Sequence, residues 1–110
     1  MIELKNIESK DVAPGCKAKF VNGENMTCVY WDEMKSGAEL PEHSHPNEQI
    51  TTVLTGELEI TVDGKVETLA SDCVLVIAPN VKHSARAVSD CRVMDVFYPI
   101  REPMDLSNQA

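Results

Sequence analysis

Apolar and polar residues alternate with period two through most of this chain, and no stretch keeps a helical period for even three turns. Ile2 to Ile7 alternates and predicts an edge strand. Ala13-Pro14-Gly15 predicts a turn, Lys17 to Val21 a short strand, and Asn22-Gly23 the hairpin that closes it. Met26 to Met34 predicts a strand with Met26, Cys28, Tyr30 and Met34 on one face and Val29 and Trp31 on the other. Glu39 to His45 reads as extended chain, interrupted by Pro41 and Pro46. Gln49 to Leu54 reads as a strand rich in Thr, Val and Ile. Glu57 to Val62 and Lys65 to Leu69 pair across Asp63-Gly64, the clearest turn signal in the sequence. Val74 to Ile77 is continuously apolar and reads as a buried strand. His83 to Val88 and Cys91 to Tyr98 are the last strands. Many short strands at this spacing predict an all-β sandwich or barrel.

Parity along these strands says which side chains share a face. If Gln49 points inward, so do Thr51 and Val53. If His83 points inward, so do Ala85 and Ala87, whose small side chains leave room for a pocket. On the last strand Val93, Asp95 and Phe97 share one face, and Met94, Val96 and Tyr98 the other.

Length and composition narrow the picture. At 110 residues the chain is read as one domain. Met1 to Val12 is read as an edge segment able to pair with a second copy, and Pro103 to Ala110 as a loose polar tail. A formal net charge of −8 argues against nucleic acid or anionic membrane surfaces as partners. No stretch resembles a signal peptide or a membrane span, and the four cysteines form no Cys-x-x-Cys pair. Reduced thiols in a cytoplasm are the expectation, with Cys28 and Cys73 as small buried side chains.

The candidate chemistry lies in the histidines. There are three, and two of them, His43 and His45, flank Ser44 in Gly37-Ala38-Glu39-Leu40-Pro41-Glu42-His43-Ser44-His45-Pro46-Asn47-Glu48-Gln49. On extended chain their Cα atoms lie about 6–7 Å apart on one face, within reach of one ion. The amide of Gln49 can add a neutral ligand, with Glu48 ranked behind it because its parity turns it away. Imidazoles with an amide suit first-row divalent ions such as Fe, Mn, Ni, Cu or Zn. The second stretch is Asp95-Val96-Phe97-Tyr98-Pro99-Ile100-Arg101. Asp95 either faces the interior as a carboxylate of raised pKa able to exchange protons, or forms a plain salt bridge with Arg101. Arg101 can pair with a substrate carboxylate.

Gly37-x5-His43-x-His45-x3-Gln49-x6-Gly56 resembles the first motif of the cupins, with Gln where most members have Glu. Asp72-x5-Ala78-Pro79-Asn80-Val81-Lys82-His83 resembles the second motif, with Asp72 and Ala78 in its usual Gly and Pro positions and Ala87 in its closing Asn position. The resemblance implies a double-stranded β-helix, the jelly-roll cupin barrel, with a divalent metal held by His43, His45, Gln49 and His83. It also implies a homodimer. Asp95-Val-Phe97-x-Pro-x-Arg101 after that core resembles the KdgF-type pectin-degradation proteins. These open 4,5-unsaturated uronates to linear keto sugar acids. For this chain the likeness implies Asp95, Phe97 and Arg101 as active-site residues and a small anionic sugar acid as substrate. Two other readings stand beside it: a metal-dependent dioxygenase, and a non-catalytic cupin that binds a sugar or a metal.

Overall fold

Ten strands form, and all but the first lie close to where the alternation places them. The computed structural model describes residues 1–102; the tail from Pro103 to Ala110 lies outside the described residues. In chain order the strands are β1 (Lys10–Ala13), β2 (Cys16–Asn22), β3 (Thr27–Met34), β4 (Glu39–His43) and β5 (Glu48–Thr55). They continue as β6 (Leu58–Val62), β7 (Lys65–Leu69), β8 (Val74–Ile77), β9 (His83–Ala87) and β10 (Cys91–Tyr98). They build a six-stranded sheet ordered β1-β2-β3-β10-β5-β8 and a four-stranded sheet ordered β4-β9-β6-β7. Every pairing is antiparallel. This is the expected all-β, jelly-roll architecture, and the described residues contain no α-helix.

The inward face of each strand supplies the core. Val29 and Trp31 on β3, Val53 on β5, Leu58 and Ile60 on β6, and Val93 and Phe97 on β10 are all buried. Burying each such side chain contributes on the order of 1.5–3 kcal/mol. Asp63 and Gly64 both take positive φ, 49° and 80°, as the tight turn of the β6–β7 hairpin requires.

Four expectations need correction. Ile2 to Ile7 is not a strand: Leu4–Asn6 is a turn of 3-10 helix, closed by Asn6 N–H to the Glu3 carbonyl and Ile7 N–H to that of Leu4, both 3.0 Å. The free edge of β2 is taken by β1, Lys10–Ala13, instead. On β3, Met34 is buried with Val29 and Trp31 rather than aligned with Cys28 and Tyr30. The cause is a bulge: β2 pairs Lys17 with Glu33 but Ala18 with Trp31, so Asp32 is an extra residue and parity switches beyond it. The apolar strand β8 is an edge strand, with Val74 58% and Val76 59% exposed. Finally, Cys73 is exposed and Cys28 half-buried, while Cys16 and Cys91 are the buried thiols; all four are free.

Two backbone features explain the altered second motif. Asp72 and Asn80 take φ of 68° and 65°, the left-handed region that glycine enters freely and that Asp and Asn tolerate best among other residues. Asp72 thus holds, without glycine, a conformation open to the glycine usual at its position in the motif.

Candidate metal centre

The three histidines arrive by different routes. Leu40 on β4 points into the core, so strict alternation would turn His43 outward. A bulge lies between them: Leu40 pairs with Ala85, but His43 pairs with His83, three steps on β4 against two on β9. Pro41, which has no N–H for a ladder, sits in this bulge. The extra residue turns His43 toward the interior, beside its partner His83 at the start of β9. His45 lies past the end of β4, in the loop that carries the chain to the other sheet. The rings meet with centroids 4.4 Å apart for His43–His83, 5.0 Å for His45–His83 and 5.7 Å for His43–His45. One nitrogen from each lies within 4.8 Å of the others. Among the described residues this is the one cluster of three or more His, Cys, Asp or Glu with such convergence.

The second nitrogen of each ring is occupied in the same way. Nδ1 of His43, His45 and His83 faces the main-chain carbonyl of Pro41, Asn47 and Val81 at 2.7, 3.1 and 2.8 Å. Each contact fixes an Nδ1–H tautomer and leaves Nε2 with a bare lone pair, as a metal-ligating imidazole requires. His83 Nε2 is buried with no hydrogen-bond partner. An orphaned lone pair of this kind is costly unless something electropositive meets it. His45 Nε2 lies 3.0 Å from Gln49 Oε1. Burial, then the Arg101 charge, lower the His45 pKa to about 4, so near neutral pH the ring has one proton and Nδ1 uses it. Two lone pairs then face each other across 3.0 Å, an arrangement that a shared cation resolves. The residues therefore fit a divalent metal held by three imidazoles and the Gln49 amide. Glu48, the lower-ranked alternative, is exposed on the other face of β5.

Asp95 is the interior carboxylate of the two sequence readings. It is 5% exposed. Its Oδ2 accepts from Trp31 Nε1 at 2.8 Å and its Oδ1 from the Thr51 hydroxyl at 2.6 Å. Burial raises its pKa above the ordinary value, and these hydrogen bonds work against that shift. Asp95 and Phe97 line one cavity with His43, Gln49, His83 and Trp31. The cavity leaves about 30 Å³ for the centres of water-sized molecules, which is room for a water or two rather than a sugar.

Arg101 is not part of that lining. It is half-buried, with its pKa lowered by desolvation, and its charge helps hold down the pKa of both His45 and His43. It therefore stands near the His43 and His45 imidazoles, outside that lining. Two residues tie its segment in place. Thr27 Oγ1 accepts from the Arg101 N–H at 2.9 Å. The buried Asn47 amide donates to the carbonyls of Pro99 and Ile100 at 2.6 and 3.3 Å. Asn47 thus holds His45 through its carbonyl and the Arg101 segment through its side chain. Nothing in the sequence singled out Asn47 or the contact of Trp31 with Asp95; inward parity had already placed Thr51 beside Gln49.

Comparison with known proteins gives consistent results. A family model described as a cupin domain, Cupin_2, matches residues 30–97. An RmlC-like cupin from Shewanella frigidimarina superposes with a TM-score of 0.86 at 26% identity, covering 93% of this chain and 92% of that one. KdgF from a Halomonas species superposes with a TM-score of 0.85 at 27% identity, covering 93% and 94%. An H2HPP isomerase of Bacillus subtilis is 25% identical over 100 residues. The match takes in 89% of this chain but only 42% of that relative's length. Because the family model covers well over half of the sequence, including all three histidines and Asp95, the chain belongs to the Cupin_2 family of cupin domains.

Proposed function

We propose that this protein is a metal-dependent isomerase that opens the ring of a small 4,5-unsaturated uronate to its linear keto acid. The observation that carries the reading is a buried carboxylate, Asp95, in the same cavity as His43 and His83, two of the three converging imidazoles. The likeness in fold and sequence to KdgF from Halomonas supports it. So does the isomerase among the curated relatives.

A divalent ion held by His43, His45, Gln49 and His83 would supply Lewis acidity toward the substrate's oxygens. The remaining work is a proton shift. In the closed sugar, C1 bears a hydroxyl and is joined to the ring oxygen, which is bonded to C5 of the C4=C5 double bond. The C1 hydroxyl proton passes to Asp95 through a water in the cavity, the C1–ring oxygen bond breaks, and C1 becomes an aldehyde. The ring oxygen leaves as an enolate on C5. Return of the proton to C4 gives the C5 ketone, so the product is an isomer of the substrate. A carboxylate whose pKa is raised by burial is suited to taking and returning one proton. Phe97 offers an apolar wall, and Arg101 a cation for the substrate carboxylate. Because the cavity holds only water-sized molecules, the sugar sits at its mouth, between the imidazoles and Arg101.

The test follows the ultraviolet absorbance of the double bond conjugated to the carboxylate, with Ni-, Zn-, Mn- or Fe-loaded protein and an unsaturated galacturonate. Absorbance should fall faster than in the protein-free control. Asp95→Asn should keep its metal and lose turnover by about 100-fold or more. No acceleration with any of these ions overturns the reading, and full turnover in Asp95→Asn removes Asp95 from the mechanism.

A further inference from the structure

The Gln49 side chain offers an oxygen at one end of its amide and an NH2 group at the other. The two ends have nearly the same shape, and only the oxygen has a lone pair to give. What decides which end faces the imidazoles is two residues further along β5. Thr51 Oγ1 lies 2.9 Å from Gln49 Nε2 and 2.6 Å from Asp95 Oδ1. In its ionised form Asp95 has no proton to offer, and its Oδ2 faces the donor-only indole of Trp31. The single hydroxyl proton of Thr51 is therefore committed to Asp95, and only its lone pairs remain for Gln49. Those lone pairs accept an amide N–H and reject an amide oxygen. Gln49 must turn its NH2 group to Thr51, which turns Oε1 to His45 Nε2 at 3.0 Å. Thr51, Asp95 and Gln49 are 2%, 5% and 7% exposed, so bulk water does not offer the amide a competing partner.

We propose that Thr51 is a positioning residue: its hydroxyl, polarised by Asp95 and Trp31, fixes the amide of Gln49 with its ligating end toward the metal. The inference rests on the metal site and not on the identity of the substrate.

Equilibrium competition for Zn²⁺ or Ni²⁺ against a chromophoric chelator tests it on the full chain. Thr51→Val removes the hydroxyl and keeps the shape. It should weaken binding by about tenfold or more, while Thr51→Ser, which keeps the hydroxyl, should stay within about threefold of the unaltered protein. The deciding measurement repeats the change in a Gln49→Glu background. A carboxylate has an oxygen at both ends and needs no orienting, so Thr51→Val should cost much less there. A merely structural role for Thr51 predicts the same loss in both backgrounds. Thr51→Ala serves the same comparison if Thr51→Val does not fold. Equal affinities for Thr51→Val and the unaltered protein, or equal losses in the two backgrounds, overturn the inference and leave the metal site standing. Failure of the unaltered protein to bind either ion removes both.

Discussion

His45 and Asp95 are both buried in this molecule, with opposite protonation preferences. Burial and Arg101 push the His45 pKa from 6.5 down to about 4, and His43 is lowered as well. An unfolded chain takes up the His45 proton near pH 6.5, while the folded, metal-free chain resists until about pH 4. Between those values the unfolded state holds more protons, so this contribution to stability falls as the pH drops. Asp95 works in the other direction. Its folded pKa is raised, so the folded state holds the extra proton above the unfolded value, and its contribution falls as the pH rises. The imidazole effect is therefore read most cleanly in metal-free Asp95→Asn protein. Its melting temperature should fall from pH 6.5 to pH 4, and less steeply once His45→Gln is added. Equal slopes with and without His45→Gln would contradict the assignment. The same residues show what was legible in advance. The pairing of His43 with His45 followed from spacing, His83 joined them through the resemblance to the cupin motifs, and the residues alone left Asp95 open between the interior and a salt bridge with Arg101. The Asn47 and Trp31 contacts were not legible, because each joins segments 52 or 64 residues apart along the chain.

At the scale of strands and turns, legibility depended on whether the signal was local. The β6–β7 hairpin was readable because Asp63-Gly64 suits a turn with two positive φ angles. The bulges at Asp32 and after Leu40 were not, because an inserted residue shows only against a partner strand. The one after Leu40 decides the direction of His43. The apolar run of β8 was misread because hydrophobicity alone does not say how many faces of a strand are covered. Gly56 is the element-scale residue with least freedom. Its φ is 84°, and a Cβ there would lie 2.3 Å from the Asp90 carbonyl and 2.6 Å from Cys91 Cβ. Gly56→Ala should lower stability by roughly 2–4 kcal/mol through strain and displacement of the start of β10, measured by urea denaturation. Gly37 has a similar φ with nothing within 4 Å of its would-be Cβ, so Gly37→Ala should cost about 1 kcal/mol. Equal losses for the two would show that the close approach to Asp90 and Cys91 carries no weight.

For the whole molecule, the outer face of the six-stranded sheet is unusually apolar. The register aligns Val76, Ile50, Val96 and Cys28 in one row across four strands, and Val74, Thr52, Met94 and Tyr30 in the next. Val76, Val74 and Ile50 are 59%, 58% and 41% exposed. A monomer rarely leaves so continuous an apolar surface to water. We expect two copies to cover it face to face, and sedimentation should give twice the mass of one chain. Ile50→Lys with Val76→Lys should return it to a monomer. A monomeric unaltered protein would refute this. The placement of the proposed ligands has a further consequence for the same scaffold. His43 and His83 belong to the four-stranded sheet, Gln49 to the six-stranded sheet, and His45 to the loop joining them. The main-chain ladders run within each sheet, so a shared ion would act as a rivet through both. At about 100 times its dissociation constant, such an ion adds about 2.7 kcal/mol to stability. Stripping it with a chelator should lower the melting temperature. Amide exchange should quicken first at the open ends of β4, β5 and β9, so that the rim where a sugar would enter is also the seam along which the sandwich begins to part.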